Sequence, residues 1–242
     1  MNAALIVAAG QGLRVGGPIP KQFLKLDGLP ILSHTLRTFD MSRLFEAIVL
    51  VVPESEFEFC QHEVIAPVSP RTPIKLTAGG DIRQESVYNG LKALSHTKGI
   101  VAIHDGVRPF VTCDQIRNCM QEAKRHKACI LGIPATDTLK RVSEEGTIQS
   151  TLDRSNTWIA QTPQVFQFEL ILRAHEAAAK TGHTVTDDAM LVEDIGQPVR
   201  IIHGSRNNIK ITTPEDLAMA EALFQLLKRK DAPPNLSDFR PY

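Results

Sequence analysis

The sequence predicts a doubly wound α/β fold, with a mostly parallel sheet covered by helices on both faces. Three observations predict it. Short uninterrupted apolar runs recur along the chain, as strands buried on both faces do. Stretches of helical period separate them. Several runs also end in segments rich in glycine or bearing a carboxylate, and open α/β sheets bind ligands at the carboxyl ends of their strands.

The runs are residues 3–8, 47–52, 74–77, 100–103 and 129–133. Between them Val87, Leu91 and Leu94 share one helical face, and near the end Leu217, Ala220, Phe224 and Leu227 do the same. One segment breaks the rhythm. Residues 137–142 and 147–152 read as two strands around the turn Glu144-Glu145-Gly146, an arm too poor in apolar residues to form its own core. It is expected either to pack on another subunit or to fold back onto its own domain. Lys228-Arg229-Lys230 reads as the charged end of the last helix, where cations oppose the dipole. The expected organisation is one domain over residues 1–230, with the arm at about 136–154. An irregular tail follows at 231–242, where Pro233-Pro234 and polar residues leave little to bury.

At 242 residues the chain can bury a substantial core. Its 27 Lys and Arg balance 27 Asp and Glu, so no global field recruits nucleic acid or anionic lipid. Cys60, Cys113, Cys119 and Cys129 lie far apart without a CxxC pair, which fits buried thiols in a reducing compartment better than disulfides or zinc. No apolar run reaches the ~18 residues of a membrane span, and no basic leader precedes Ala3, so a cytoplasmic location is expected.

The first strand runs into Ala8-Ala9-Gly10-Gln11-Gly12-Leu13-Arg14, a glycine-rich loop whose N–H groups can approach a phosphate closely. It is not a Walker loop, since no GK[ST] follows. Val15 at the third glycine position demotes dinucleotide binding. The loop carries Arg14 and leads through Pro18 and Pro20, which restrict the backbone, to Lys21. After the third run come Gly79-Gly80-Asp81 and Ser86; the glycines admit a flat base, while Asp81 and Ser86 can bond its edge or start a helix. After the fourth come His104 and Asp105, a carboxylate suited to Mg²⁺ or a ribose hydroxyl beside a histidine that reads as packed rather than catalytic. The bland alternative for Thr186 to Asp188 is an N-cap and nothing more, and for Asp153 with Arg154 a surface ion pair worth little.

Together these segments resemble the 2-C-methyl-D-erythritol 4-phosphate cytidylyltransferases. The motifs follow in family order over most of the chain: AAGxGxR (8–14), PKQF (20–23), GGDxRxxS (79–86), HDxxRP (104–109), DTxK (137–140), DR (153–154), TPQ (162–164), TD (186–187) and NIK (208–210). The resemblance implies a Rossmann-like nucleotidyltransferase fold with a protruding β-arm exchanged across a homodimer. It further implies that Ala8, Ala9, Gly10 and Gly12 cradle the triphosphate of CTP, and that Gly80, Asp81 and Ser86 hold cytosine. Asp105 and Gly106 fall at the ribose and metal side, with Mg²⁺ carried mainly by the CTP phosphates. Arg14 and Lys21 match the transition-state stabilisers, and Arg154 and Lys210 the residues that position methylerythritol phosphate, with Arg108, Thr138, Thr162 and Thr186 around it. Leu13, Gly106 and Val7 depart from the family's frequent residues there. The rivals are a ribitol 5-phosphate cytidylyltransferase, a nucleotidyltransferase for another base, and a nucleotide sensor without catalysis, against which the cations Arg14, Lys21 and Lys210 argue.

Overall fold

The computed structural model describes residues 1–10, 19–94 and 98–231. Its elements run β1 (Ala3–Val7), β2 (Lys25–Leu26), β3 (Leu29–Pro30), α1 (Ile31–Ser42), β4 (Ala47–Val52), α2 (Phe57–Phe59), β5 (Ile74–Ala78), α3 (Arg83–Ala93), β6 (Ile100–Asp105), α4 (Cys113–His126) and β7 (Ala128–Pro134). They continue with β8 (Lys140–Val142), β9 (Ile148–Thr151), β10 (Trp158–Gln167), α5 (Phe168–Thr181), α6 (Asp188–Asp194), β11 (Arg200–His203) and α7 (Pro214–Asp231). Seven strands form one sheet in the order β11-β7-β10-β6-β1-β4-β5.

The sheet is parallel at β1/β4, β1/β6, β4/β5 and β7/β11, whereas β10 pairs antiparallel with both β6 and β7. Alternation along each strand divides the core into two layers. Ala3, Leu5, Val49, Val51, Val101 and Ile103 face the layer closed by α3, α5 and α6. Ala4, Ile6, Ile48, Leu50 and Ala102 face the layer closed by α1 and α4. Local chemistry sets helix ends. Thr112 and Gln115 form a capping box at the start of α4, and Gly182 ends α5 in the left-handed conformation at φ 68°.

The five apolar runs are strands β1, β4, β5, β6 and β7, and both helical faces are helices, α3 and α7. Two differences carry physical reasons, and one open alternative is decided. β6 extends to Asp105, because His104 and Asp105 keep register with Ile6 and Val7 and so belong to the ladder rather than to a loop after it. β10, absent from the sequence reading, holds Pro163 and polar Gln161, Thr162 and Gln164 at its centre, a composition that argues against a central strand. The ladder to β7 absorbs the proline through a register shift between Gln161 and Gln164. The hairpin β8/β9 forms as expected, yet every residue of both strands is exposed, so it is not folded onto its own domain. The end of α7 is charged as anticipated, and Lys228 pairs with Asp27 at 2.6 Å. Of the expected tail, residues 232–242 lie outside the described residues.

Cys60, Cys119 and Cys129 are buried free thiols, and burial pushes Cys60 up to about 12. Among the described residues no helix is long and apolar enough to cross a membrane.

Candidate active site

The carboxyl ends of β1, β5 and β6 meet above the sheet, and backbone bonds fasten the loops leaving them. Ala8 N donates to Val51 O at 2.7 Å, Gly79 N to Val52 O at 3.0 Å and Gly106 N to Val7 O at 2.8 Å. A cavity of about 190 Å³ opens there, lined by Ala8, Ala9, Gly10, Lys21, Gly80, Asp81, Ser86, Asp105 and Lys210 among others. Candidates from five separate motifs thus share one space. Gly12 and Arg14 lie outside the described residues.

Gln22, passed over in the sequence except as part of its motif, is buried beneath this cavity. Its Nε2 donates to Ala8 O at 2.8 Å and to Gly10 O at 3.1 Å. Two carbonyls of the loop are thereby satisfied from within the chain, which suits a loop that offers donors to an anion. On the opposite wall the Ser86 hydroxyl accepts from Gly80 N at 3.1 Å and holds the turn. Asp81 is not the helix cap: Ile82 holds that position, and Glu85 reaches back to Asp81 N at 2.8 Å, which leaves the Asp81 carboxylate at the cavity.

Gly79 decides how closely the two loops approach. A methyl built there would overlap Ala9 Cβ. Gly79→Ala is therefore expected to cost about 1–3 kcal/mol through overpacking, lowering Tm by several degrees, and to raise KM for the nucleotide by displacing Ala9. A melting curve and a KM both unchanged from wild type would reject this packing account.

A second cavity, about 230 Å³, adjoins the first and is lined by Arg108, Gln161, Thr162, Gln164, Thr186 and Asp187, with Arg83, Asp105 and Lys210 common to both. Its walls come from β6, β10 and the segment before α6. Arg108 Nη1 donates to Asn208 O at 2.7 Å, and Asn208 Nδ2 donates to Thr162 O at 2.8 Å, tying the 208–210 motif to β10. Gln164 accepts from Asp188 N and Ala189 N at 3.1 and 3.0 Å. Asp187 caps α6 through Met190 N at 3.1 Å, so the capping reading of this motif is correct and coexists with Thr186 and Asp187 lining the cavity.

At the shared wall stands Asp105, buried, with Arg83 Nε at 3.0 Å, Lys210 Nζ at 2.9 Å and Arg108 Nε at 3.5 Å. Burial by itself would raise this carboxyl, but the three cations outweigh it and hold Asp105 well below the usual carboxylate range. Burial likewise opposes the charge of Arg83, and Asp188 with Asp105 overcomes it, so Arg83 stays firmly cationic. Asp105 offers a single carboxylate to a metal, with both oxygens already ion-paired. Among the described residues no group of three or more His, Cys, Asp or Glu side chains could hold a metal ion. That donor set fits a divalent cation that arrives on an anionic ligand and touches one carboxylate, as Mg²⁺ commonly does with phosphates.

His104 is fully buried behind this wall. Its Nε2 lies 3.1 Å from Arg108 O, an acceptor, so Nε2 carries the proton; Nδ1 then accepts from the Thr162 hydroxyl at 2.9 Å. That hydroxyl in turn accepts from Asp105 N at 3.1 Å. The expectation of a packed histidine holds. Burial, the largest cause, lowers His104 to about 4, so the ring is neutral at pH 7. The unfolded chain binds protons here below about pH 6.5 that the folded chain binds only near 4. Stability therefore falls as pH drops through that window, by about 3 kcal/mol from His104, with buried His34 adding in the same direction. His104→Gln is expected to flatten the slope of Tm against pH between about 6.5 and 4; an unchanged slope counts against it.

Among the described residues, three predicted site residues line neither cavity: Gly106, which is bonded to Val7 O beside the first, and Arg154 and Thr138, which stand elsewhere. Arg154 donates to Thr136 O at 2.7 Å at the base of the arm, and neither it nor Thr138 lines either cavity of its own chain. The anticipated Asp153–Arg154 ion pair is not formed: Asp153 caps the short turn Arg154–Asn156 through Ser155 N at 2.9 Å. The arm exposes Val142, Ile148 and Leu152, apolar side chains that an isolated hairpin cannot bury. A larger cavity, about 590 Å³, opens at the other end of the strands by Asn2, Ile100 and Phe168, and no sequence candidate lines it.

Residues 2–226 match the model of the family described as 2-C-methyl-D-erythritol 4-phosphate cytidylyltransferase. A protein of that name from Syntrophotalea carbinolica is 48% identical over 219 residues, covering 90% of this chain and 94% of the relative. Its counterpart from Geobacter metallireducens is 45% identical over 225 residues, covering 92% and 97%. The crystal structure of 4-diphosphocytidyl-2C-methyl-D-erythritol synthase from Anaerococcus prevotii superposes with a TM-score of 0.82 at 30% identity, covering 93% of this chain and 96% of that one.

Proposed function

We infer the division of labour in the site from one premise: the chain belongs to the 2-C-methyl-D-erythritol 4-phosphate cytidylyltransferase family. Its reaction transfers CMP from CTP to methylerythritol phosphate, giving 4-diphosphocytidyl-2-C-methyl-D-erythritol and pyrophosphate in isoprenoid biosynthesis by the non-mevalonate route. The observation that carries the assignment of residues is the pair of adjoining cavities with Asp105, Arg83 and Lys210 in the wall between them. The ribitol phosphate and sensor readings are not favoured by the relatives.

CTP takes the first cavity, with Ala8, Ala9, Gly10 and Gly12 around its phosphates. Gly80, Asp81 and Ser86 flank the base, and Asp105 and Gly106 lie beside the ribose. The sugar phosphate takes the second, between Arg108, Thr162, Thr186 and Lys210. An oxygen of its phosphate attacks the α-phosphorus; the new P–O bond forms as the bond to the β-phosphate oxygen breaks, and pyrophosphate leaves with the electron pair. The nucleophile is already ionised at neutral pH, so no general base is needed, and catalysis is alignment plus charge stabilisation. Repulsion between the two anions is the first obstacle. At about 4 Å a pair of unit charges interacts by about 1 kcal/mol in water and about 4 at an effective dielectric near 20, so cations in a cleft count for more than on an open surface. Lys21 and Arg14 stabilise the charge that grows at the α-phosphorus. Asp105 is the side chain that would contact a Mg²⁺ carried by the nucleotide, and that ion would supply charge neutralisation and a better leaving group.

The exposed arm supports a homodimer in which each arm crosses to the other subunit. Arg154 and Thr138 then serve the neighbour's acceptor cavity, where a guanidinium grips a phosphate through two bonds. The single domain over residues 1–230 and a cytoplasmic location belong to the same reading. Pyrophosphate release from CTP and Mg²⁺ is the test, with methylerythritol phosphate and ribitol phosphate as parallel acceptors. Turnover with the first alone is expected; turnover confined to the second sinks the acceptor assignment.

A further inference from the structure

We propose that Arg83 is a positioning residue for the transfer: by clamping Asp105 and Asp188 together it sets where Lys210 stands and keeps that ammonium available to the acceptor phosphate. The proposal rests on the reading of Lys210 given above.

Arg83 opens α3, yet its side chain joins two carboxylates from distant parts of the chain. Its Nε meets Asp105 Oδ1 at 3.0 Å, and its Nη1 meets Asp188 Oδ2 at 2.8 Å. The oxygens of Asp105 are divided between partners: Oδ1 faces Arg83, whereas Oδ2 faces Lys210 at 2.9 Å and Arg108 at 3.5 Å. Asp188 is buried at the start of α6, and its other oxygen meets His175 Nε2 of α5 at 3.3 Å. An ordered row thus runs from α5 through α6 and α3 to the strand end that carries the chemistry.

Charge explains what the clamp does. Arg83, Arg108 and Lys210 pair with Asp105, and Arg83 also with Asp188, three cations against two carboxylates, so this ion-pair cluster keeps one positive charge beside the acceptor cavity. Without Arg83 the cluster is neutral. Asp105 then turns its whole charge on Arg108 and Lys210, and the phosphate must compete with a carboxylate for the same ammonium. A lysine at 83 keeps the charge but lacks the planar fork that reaches two carboxylates at once.

The predicted signature is that losing Arg83 resembles losing Lys210 and adds little to it. Steady-state kinetics for both substrates, with thermal melts, are measured on wild type, Arg83→Met, Arg83→Lys, Lys210→Gln, and the doubles Arg83→Met/Lys210→Gln and Arg83→Met/Asp188→Asn. Arg83→Met is expected to lower kcat/KM for the sugar phosphate about 10–100-fold while KM for CTP stays within about threefold. Arg83→Lys recovers part of the loss. In the Lys210→Gln background the same change costs less than about threefold, because the two act as one unit. Asp188→Asn, which removes the orphaned charge, restores the melting temperature of Arg83→Met but not its activity. If Arg83→Met does not fold, its double with Asp188→Asn and the Arg83→Lys variant carry the comparison. Effects that multiply in the Lys210→Gln background, a KM for CTP that rises as much as the acceptor's, or activity that returns together with stability each overturn the proposal. Wild type inactive with methylerythritol phosphate defeats the underlying reading instead, whereas active wild type with multiplicative effects defeats only the role of Arg83.

Discussion

Lys21→Ala is expected to lower kcat about 10²–10³-fold, with KM for CTP and for the sugar phosphate changed far less. The expectation follows from position. Lys21 opens the short turn Lys21–Phe23 directly after Pro20, and Gln22 in the same turn is bonded to Ala8 O and Gly10 O of the phosphate loop. The backbone that carries the ammonium is thus fixed against the loop that holds the triphosphate. A cation held this way interacts more strongly with charge that develops during reaction than with charge already present and solvated, so its removal falls on turnover rather than on binding. Steady-state kinetics of the purified variant decide the matter, and near-normal turnover refutes the assignment.

Mixing two disabled chains is expected to restore activity, provided the arms exchange. One chain carries Lys21→Ala, a defect in the cavity; the other carries Arg154→Ala, a defect in the arm that mainly raises KM for the sugar phosphate. In a mixed dimer with exchanged arms, one site combines both defects and the other has neither. Random assortment then leaves about a quarter of the sites intact, since about half the dimers are mixed and each has one good site of two. Without exchange every site keeps one defect and no activity returns. Co-refolded mixtures assayed below saturating acceptor distinguish the cases. The motive is structural: Arg154 is held to Thr136 O at 2.7 Å at the arm's base and lines neither cavity of its own chain.

Much of the fold could be read from the residues, and the failures were local. β1 and β4 are buried on both faces, so their sequences are continuous apolar runs whose type is plain. β10 escaped because Gln161, Thr162, Pro163 and Gln164 occupy its centre, and those polar residues serve the acceptor cavity and the loop before α6 rather than the core. The site was legible where a motif joined a glycine loop to a cation. Arg83 stood inside a quoted motif and was still overlooked, since its partners lie 22 and 105 residues away and nothing local marks them. Gln22 was missed for the same reason: its work is to satisfy carbonyls of a neighbouring loop.

The five apolar strands, the arm hairpin, the faces of α3 and α7, the order of the ligand loops and the family are legible in the sequence, because each depends on residues adjacent in the chain or at short periodic spacing. Tertiary structure alone decided that two cavities share one wall, that Asp105 is ringed by three cations, and that the arm stands clear of its own domain. Charge interactions and packing depend on separation in space. Chain order does not encode that separation until the sheet has brought β1, β5, β6 and the 208–210 motif to one edge.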